Sequence, residues 1–183
     1  MTWTLDPAHS AVTFSAKHMM ITTVRGTLAI RDFSLDFDPK DITASSVRVR
    51  LDAASIDTGQ EARDQHLRSA DFLETEAHPN IDFASTRIEP DGDGYRIHGD
   101  LTIRGVTRPV TLRAILGGTV PNLQGGTRAA FSATTRINRE DFGLTWNVAL
   151  EQGGWLVSKD ITVEMDIAAV AESLDATADE AAA

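Results

Sequence analysis

The chain has 183 residues, a formal net charge of -10 and no cysteine. That length suits one domain with a sizeable core, and 42% hydrophobic with 24% charged residues excludes wholesale disorder. An acidic balance argues against nucleic-acid binding, no run of roughly 18 apolar residues offers a membrane-spanning helix, and disulfides, thiolate metal sites and cysteine nucleophiles are all absent.

The opening Met1-Thr2-Trp3-Thr4-Leu5-Asp6-Pro7 lacks the basic and apolar regions of a secretory leader, so a cytoplasmic location is expected. A trimmed mature form of an exported protein would read the same. From there the chain alternates with period two, the mark of half-buried strands. In 12–18, Val12, Phe14 and Ala16 share one face, opposite Thr13, Ser15 and Lys17. Over 28–37 the phase changes: Leu28 and Ile30 hold one parity, Phe33, Leu35 and Phe37 the other. One extra residue near Asp32 restores a single inward face, which predicts a β-bulge.

In 47–53, Val47, Val49, Leu51 and Ala53 alternate with Arg48, Arg50 and Asp52. The rhythm then breaks. Thr58-Gly59-Gln60-Glu61 has the spacing of a capping box, with Thr58 as N-cap, and predicts a short helix over Ala62 to Ser69. On that helix Asp64 and Arg68 have the favourable order for an ion pair, which would make it a pinned connector. A polar lid over a ligand's head is the functional alternative.

Strands resume at Ile81 and Phe83, and 81–89 with 94–103 form the clearest hairpin, turned by Asp91-Gly92-Asp93-Gly94. This turn lacks the further ligands of a calcium loop. Inner parities follow at Tyr95, Ile97, Gly99, Leu101 and Ile103, then Val110, Leu112, Ala114 and Leu116. Ala129, Phe131, Ala133 and Ile137 come next, and last Ile161, Val163, Met165 and Ile167. From Ala171 an alanine-rich acidic tail is expected to fray, leaving one domain over 1–170. Eight or more amphipathic strands with one helix insert mean an all-β domain. Periodicity alone does not choose between a closed barrel and a sandwich.

The search for chemistry is mostly negative: no Gly-x-Ser-x-Gly elbow, phosphate loop, dinucleotide fingerprint or His-Glu-x-x-His occurs. His9, His18, His66, His78 and His98 show no i, i+4 pairing; His98 falls on a polar face and His78 precedes Pro79 in a loop. No metal or cofactor is expected, and no catalytic residue is assigned.

Five segments together resemble the YceI-like family of polyisoprenoid-binding proteins. They are 3–10 (Trp-Thr-Leu-Asp-Pro-Ala-His-Ser) with Phe14 and Lys17-His18 following; Ser55 to Gly59 leading into 63–72; Pro79 to Thr86; Gly99 to Val110; and Asn138 to Leu144. The match runs over about residues 3–167. The resemblance implies an eight-stranded, antiparallel, lipocalin-like β-barrel with an inserted helix, homodimers, and a long apolar ligand inside: a polyprenyl compound, quinone or fatty amide. The expected function is therefore a soluble carrier or store, not an enzyme, partnered by a long-chain molecule without stable membrane insertion.

The lining expected from parity and resemblance together is Val12, Phe14, Leu28 and Ile30; Val49, Leu51 and Phe83; Ile97, Leu101 and Leu112; and Phe131, Phe142, Trp146 and Met165. A barrel that is simply filled would use the same side chains. The small inward residues Ala16, Ala53, Gly99, Ala114, Ala129 and Ala133 favour a cavity, because each leaves volume that a larger residue would take. His18, Arg25, Arg63, His66 and Arg139 are the candidates for holding a ligand's head. Arginine would suit phosphate, and histidine a quinone or amide. The plain alternative is that Arg63 and Arg139 pair with Asp64, Asp71 or Asp141 to pin the helix and a loop. Two rival functions are an enzyme using His18 or His66 as acid/base, and a filled-barrel stress or interaction module.

Overall fold

The computed structural model describes residues 2–123 and 125–171. Ten strands alternate with short turns and one helix. They are β1 (Thr2–Leu5), β2 (Ala11–His18), β3 (Thr22–Leu28), β4 (Ile30–Asp36), β5 (Ser46–Asp52), α1 (Glu61–Arg68), β6 (Asn80–Asp91), β7 (Gly94–Ile103), β8 (Val106–Pro121), β9 (Thr127–Asn138) and β10 (Val157–Ala171). All pairings are antiparallel, in the order β1-β4-β5-β6-β7-β8-β9-β10-β2-β3, and β1 also pairs β10. The result is a closed eight-strand barrel, because β1 with β2, and β3 with β4, each act as one bent strand.

The two bends have local causes. Asp6 ends β1 and caps the turn Pro7–His9, its carboxylate accepting from the Ala8 N–H. Ser10 then donates to the Ala168 carbonyl and ties the bend to β10. Between β3 and β4 only Ala29 intervenes; its N–H donates to Ser55 Oγ at 2.8 Å and its carbonyl accepts from Asp52 N–H at 2.9 Å. Closing the barrel removes the unpaired edges that an open sheet exposes.

The register slips between Ile30 and Asp32 opposite Leu51 and Arg50, so the bulge expected near Asp32 is present and centres on Arg31. What reads in the sequence as one strand over 28–37 is two, broken at Ala29. The hairpin of β6 and β7 turns through Gly92, whose φ of 63° serves the first central position of a two-residue loop. Arg96 and Arg113 both bind Asp91 there, which is hairpin pinning rather than a cation loop. The Gly99 expectation fails in detail: a Cβ there would meet the Phe83 ring at 2.5 Å, so this glycine admits an aromatic ring and not a ligand.

The helix starts one residue earlier than expected, and its cap is Gln60, not Thr58; the Gln60 side chain accepts from Arg63 N–H. Asp64 does not pair Arg68. It is buried and accepts from the Thr58 N–H at 3.0 Å and hydroxyl at 2.5 Å. Arg68 donates instead to the carbonyls of Ala54 and Ile56, strapping α1 to the end of β5. The helix is a pinned connector, as its plain reading has it, but through different bonds. His98, on the polar face of β7, contacts Glu89 at 2.9 Å and Thr111 at 3.0 Å. Ala171 belongs to the barrel and not to a tail: it pairs Thr127 and is buried. The remainder of the expected tail lies outside the described residues.

Apolar clusters pack toward both ends. At one, Trp3, Leu35, Phe37, Ala129, Ala169 and Ala171 pack together. Phe37 meets Trp3 and Phe131 edge-on, and Trp3 Nε1 donates to the Phe37 carbonyl at 3.0 Å. At the other, Ala53, Ile56, Phe72, Leu73, Ile81, Ile103, Ile137, Phe142 and Leu144 pack beneath α1. Each fully buried phenylalanine contributes roughly 1.5–3 kcal/mol.

Candidate functional site

A cavity of about 490 Å³ occupies the barrel between these clusters, a size typical of sites for small hydrophobic ligands. A second of about 100 Å³ lies toward the Trp3 end. Val12, Val49, Phe83, Leu112 and Met165 border both, forming a waist. Along β7 the inner wall steps from Ile103 and Leu101 in the larger space to Ile97 and Tyr95 in the smaller. Eight residue steps at about 3.3 Å make that path roughly 26 Å long.

Most lining residues come from strands, because period-two alternation sends every second side chain inward, while Phe142 and Trp146 come from the turn after β9 and the segment beyond it. Val12, Phe14, Leu28, Val49, Leu51, Phe83, Leu101, Leu112, Phe142, Trp146 and Met165 border the larger cavity. Ile97 and Phe131 border the smaller. Ile30 borders neither: it sits between the Ala29 break and the Arg31 bulge, where the strand turns a corner. Among the small inward residues, Ala16 opens onto the larger cavity, and Ala114 and Ala133 onto the smaller. Ala53 and Ala129 are instead packed into the end clusters. Gly26 belongs to the wall's construction, since a Cβ there would strike the Phe14 ring at 2.5 Å.

The mouth lies between α1 and the end of β2, where Lys17, Ala62 and Arg63 border the cavity and are exposed. Exposed apolar side chains flank it: Met19, Met20 and Ile21 on the β2–β3 turn, and Trp155 just before β10. The Met19 N–H donates to the Leu156 carbonyl at 2.8 Å and joins the two loops.

Four of the expected head-group residues, His18, Arg63, His66 and Arg139, border this cavity together. Arg25 does not. It pairs Ser15 on β2, on the outward parity opposite Phe14 and Ala16, and points to solvent. Arg63 donates to the Thr58 hydroxyl at 2.7 Å and carbonyl at 2.9 Å, fixing the chain ahead of α1. His66 places Nε2 2.8 Å from Asp71 and meets Trp146 and Phe72 edge-on.

Arg139 is 4% exposed, in the short turn Arg139–Phe142 after β9. Its Nη1 donates to the carbonyls of Leu144 and Trp146 at 2.6 and 3.0 Å, and its Nε to that of Ser158 at 2.9 Å. Nη2 is buried with no hydrogen-bond partner among the described residues. Burial lowers the pKa of Arg139, with the nearby Glu140 charge opposing. Neither Arg63 nor Arg139 makes the carboxylate pair of the plain alternative. Both hold backbone carbonyls.

Lys17, Thr58, Thr135, Phe72, Leu73, Leu144 and Leu156 also border the cavity. Most lie on connectors or strand ends, where period two carries no information. The apolar pairs Phe72-Leu73 and Leu156-Val157 are the signal that could have found three of these, and Val157 with them. No cluster of three metal-ligating side chains exists among the described residues.

A family model described as the YceI-like domain matches residues 3–169. Protein YceI of Shigella flexneri is 43% identical over 136 residues, covering 74% of this chain and 71% of that protein. The crystal structure of the Campylobacter jejuni YceI protein is similar with a TM-score of 0.72 and 29% identity, over 86% of this chain and 90% of that one. A polyisoprenoid-binding domain from Saccharophagus degradans, described as implicated in plant cell wall breakdown, shares the fold at a TM-score of 0.61 and 16% identity, over 93% and 98% of the two chains. Barrel, helix insert and sequence agree over nearly the same residues, and the chain belongs to the YceI-like domain family.

Proposed function

We propose that this protein binds one long-chain, isoprenoid-type lipid inside its barrel and acts as its carrier or store. The observation that carries the reading is the cavity of about 490 Å³, walled almost wholly by carbon, with a second apolar space beyond the shared waist. A filled module would have no use for such a void, because an empty apolar space forfeits packing contacts. Ten buried carbons contribute about 8 kcal/mol, the equivalent of a micromolar Kd before the costs of association. The polyisoprenoid binding named for the Saccharophagus degradans relative agrees with a ligand of this shape.

The enzyme reading rests on His66 and Asp71, 2.8 Å apart at the cavity wall. Acid/base work would need a reacting group beside the imidazole, and His66 meets Asp71 and the edges of the Phe72 and Trp146 rings. The dyad therefore reads as a hinge pin between α1 and the segment after it.

Native mass spectrometry of the protein purified without detergent, followed by solvent extraction, tests the carrier reading. The expected result is one apolar molecule per barrel. A protein that emerges empty and takes up no added geranylgeraniol or long-chain amide would overturn it.

A further inference from the structure

The two apolar spaces of the barrel meet at a constriction built from unlike parts. Val12, Val49, Phe83, Leu112 and Met165 border both spaces, and all but Met165 are held in place. Val12 and Leu112 are buried in the wall. Val49 is β-branched and pairs Phe83 between β5 and β6, so its χ1 has little freedom. Phe83 rests its ring on Gly99 of β7, where a Cβ would lie 2.5 Å from two ring carbons. A strand glycine beside an aromatic ring lets that ring pack against the sheet. Gly99 thereby seats the largest side chain of the constriction against the wall.

Met165 differs. Its unbranched thioether chain changes rotamer at little cost, and it is half-buried beside open space. Its cross-strand neighbour on β9 is Ala133, which pairs Ala114 on β8, which in turn pairs Tyr95 on β7. All four border the smaller space. Two alanines in one cross-strand row leave, next to Met165, room into which its side chain can swing. That space is about 100 Å³ against about 490 Å³ for the larger, so it suits the end of a chain and not a second molecule. The constriction also lies part-way along the barrel. Gly99 stands midway on β7 between Ile103, at the α1 end, and Tyr95, with about 13 Å of strand on each side.

We infer that Phe83, seated on Gly99, and Met165 form a gate that selects ligands by chain length: a short apolar chain stays in the larger space, and a longer one displaces Met165 and enters the smaller. This rests on the carrier reading and names the residues that set its length preference.

Methyl NMR of delipidated protein, titrated with geraniol or with the longer geranylgeraniol, reads the passage directly. Ile103 and Ile161 border only the larger space, Ile97 and Ile167 only the smaller. Geraniol should shift the methyls of Ile103 and Ile161 alone. Geranylgeraniol should shift all four isoleucines and the Met165 methyl with them. Ala133→Leu fills the room beside Met165, and Met165→Phe replaces the adaptable chain with a stiff ring. In each, the affinity ratio of geranylgeraniol to geraniol should fall ten-fold or more, with Ile97 and Ile167 no longer responding. A variant that fails to fold leaves the parent's methyl shifts to decide. Geraniol reaching Ile97 and Ile167 in the parent, geranylgeraniol leaving them unmoved, or a ratio unchanged in a folded variant would overturn the gate and leave the carrier intact. Failure of both alcohols to bind would remove the carrier reading itself.

Discussion

Ala16 offers the sharpest check on whether the barrel space is real. It lies at mid-strand on β2, faces the larger cavity, and pairs Val24 and Ile161, which border the same space. Ala16→Leu adds three carbons. If they enter the cavity, their burial at about 0.8 kcal/mol each stabilises the ligand-free protein by up to about 2.4 kcal/mol. In a filled interior the same change would overpack and destabilise by about 1–3 kcal/mol. The two possibilities therefore differ in sign. Ala129 is the control, being fully buried in the Trp3–Phe37 cluster and bordering neither cavity, and Ala129→Leu should destabilise. Denaturant midpoints of delipidated parent and variants give the comparison. Binding reads the same volume from the other side: a ligand denied room for three carbons loses about 2.4 kcal/mol, about 60-fold in Kd. The reasoning is refuted if Ala16→Leu destabilises as much as Ala129→Leu, or leaves binding of a long chain untouched.

Gly26→Ala should push the Phe14 ring, which a Cβ would meet at 2.5 Å, and destabilise by about 1–3 kcal/mol; titration with a long-chain probe should show weaker binding as the ring moves. Asp64→Ala leaves two Thr58 donors unpaired and should lower stability by about 3 kcal/mol, with faster amide exchange in α1 as the local signature. At Asp6 burial raises the pKa, but hydrogen bonds from His9 and Arg128 outweigh it and hold the carboxyl below its ordinary value. A carboxylate depressed in the folded state stabilises above the unfolded pKa, near 3.9, and loses that contribution as pH falls through the folded value. Asp6→Asn should thus unfold at lower denaturant than the parent at pH 7, with the gap closing as the pH drops below about 4; a gap constant across that range would contradict the ionic role.

The strands, their inward faces and the bulge near Asp32 were legible because a strand's side chains alternate strictly. Val12, Leu101, Leu112 and Met165 follow from that parity alone, and the family resemblance supplied the barrel where parity left a sandwich open. Parity ceased to inform where backbone geometry changed. Ile30 shares the inner parity of Leu28, yet the Ala29 break and Arg31 bulge move it away from the cavity. Arg25 has the residue type of a head-group partner, but its pairing with Ser15 turns it outward. The helix cap shows the same limit at shorter range: Thr58 has the right spacing, but the buried Asp64 captures its N–H and hydroxyl, and Gln60 caps instead.

Sequence by itself determined the all-β character, the inward alternation and the small residues along the strands, because these depend on neighbours two positions away. Only the tertiary structure decided which small residues open space and which are packed, since Ala16 and Ala129 are indistinguishable until the strands opposite them are placed. It also decided that His18, Arg63, His66 and Arg139, from three separate segments, border one apolar space. Pairing of β10 with both β2 and β9, and the strapping of α1 to the end of β5, bring those residues together, and no local spacing encodes that meeting.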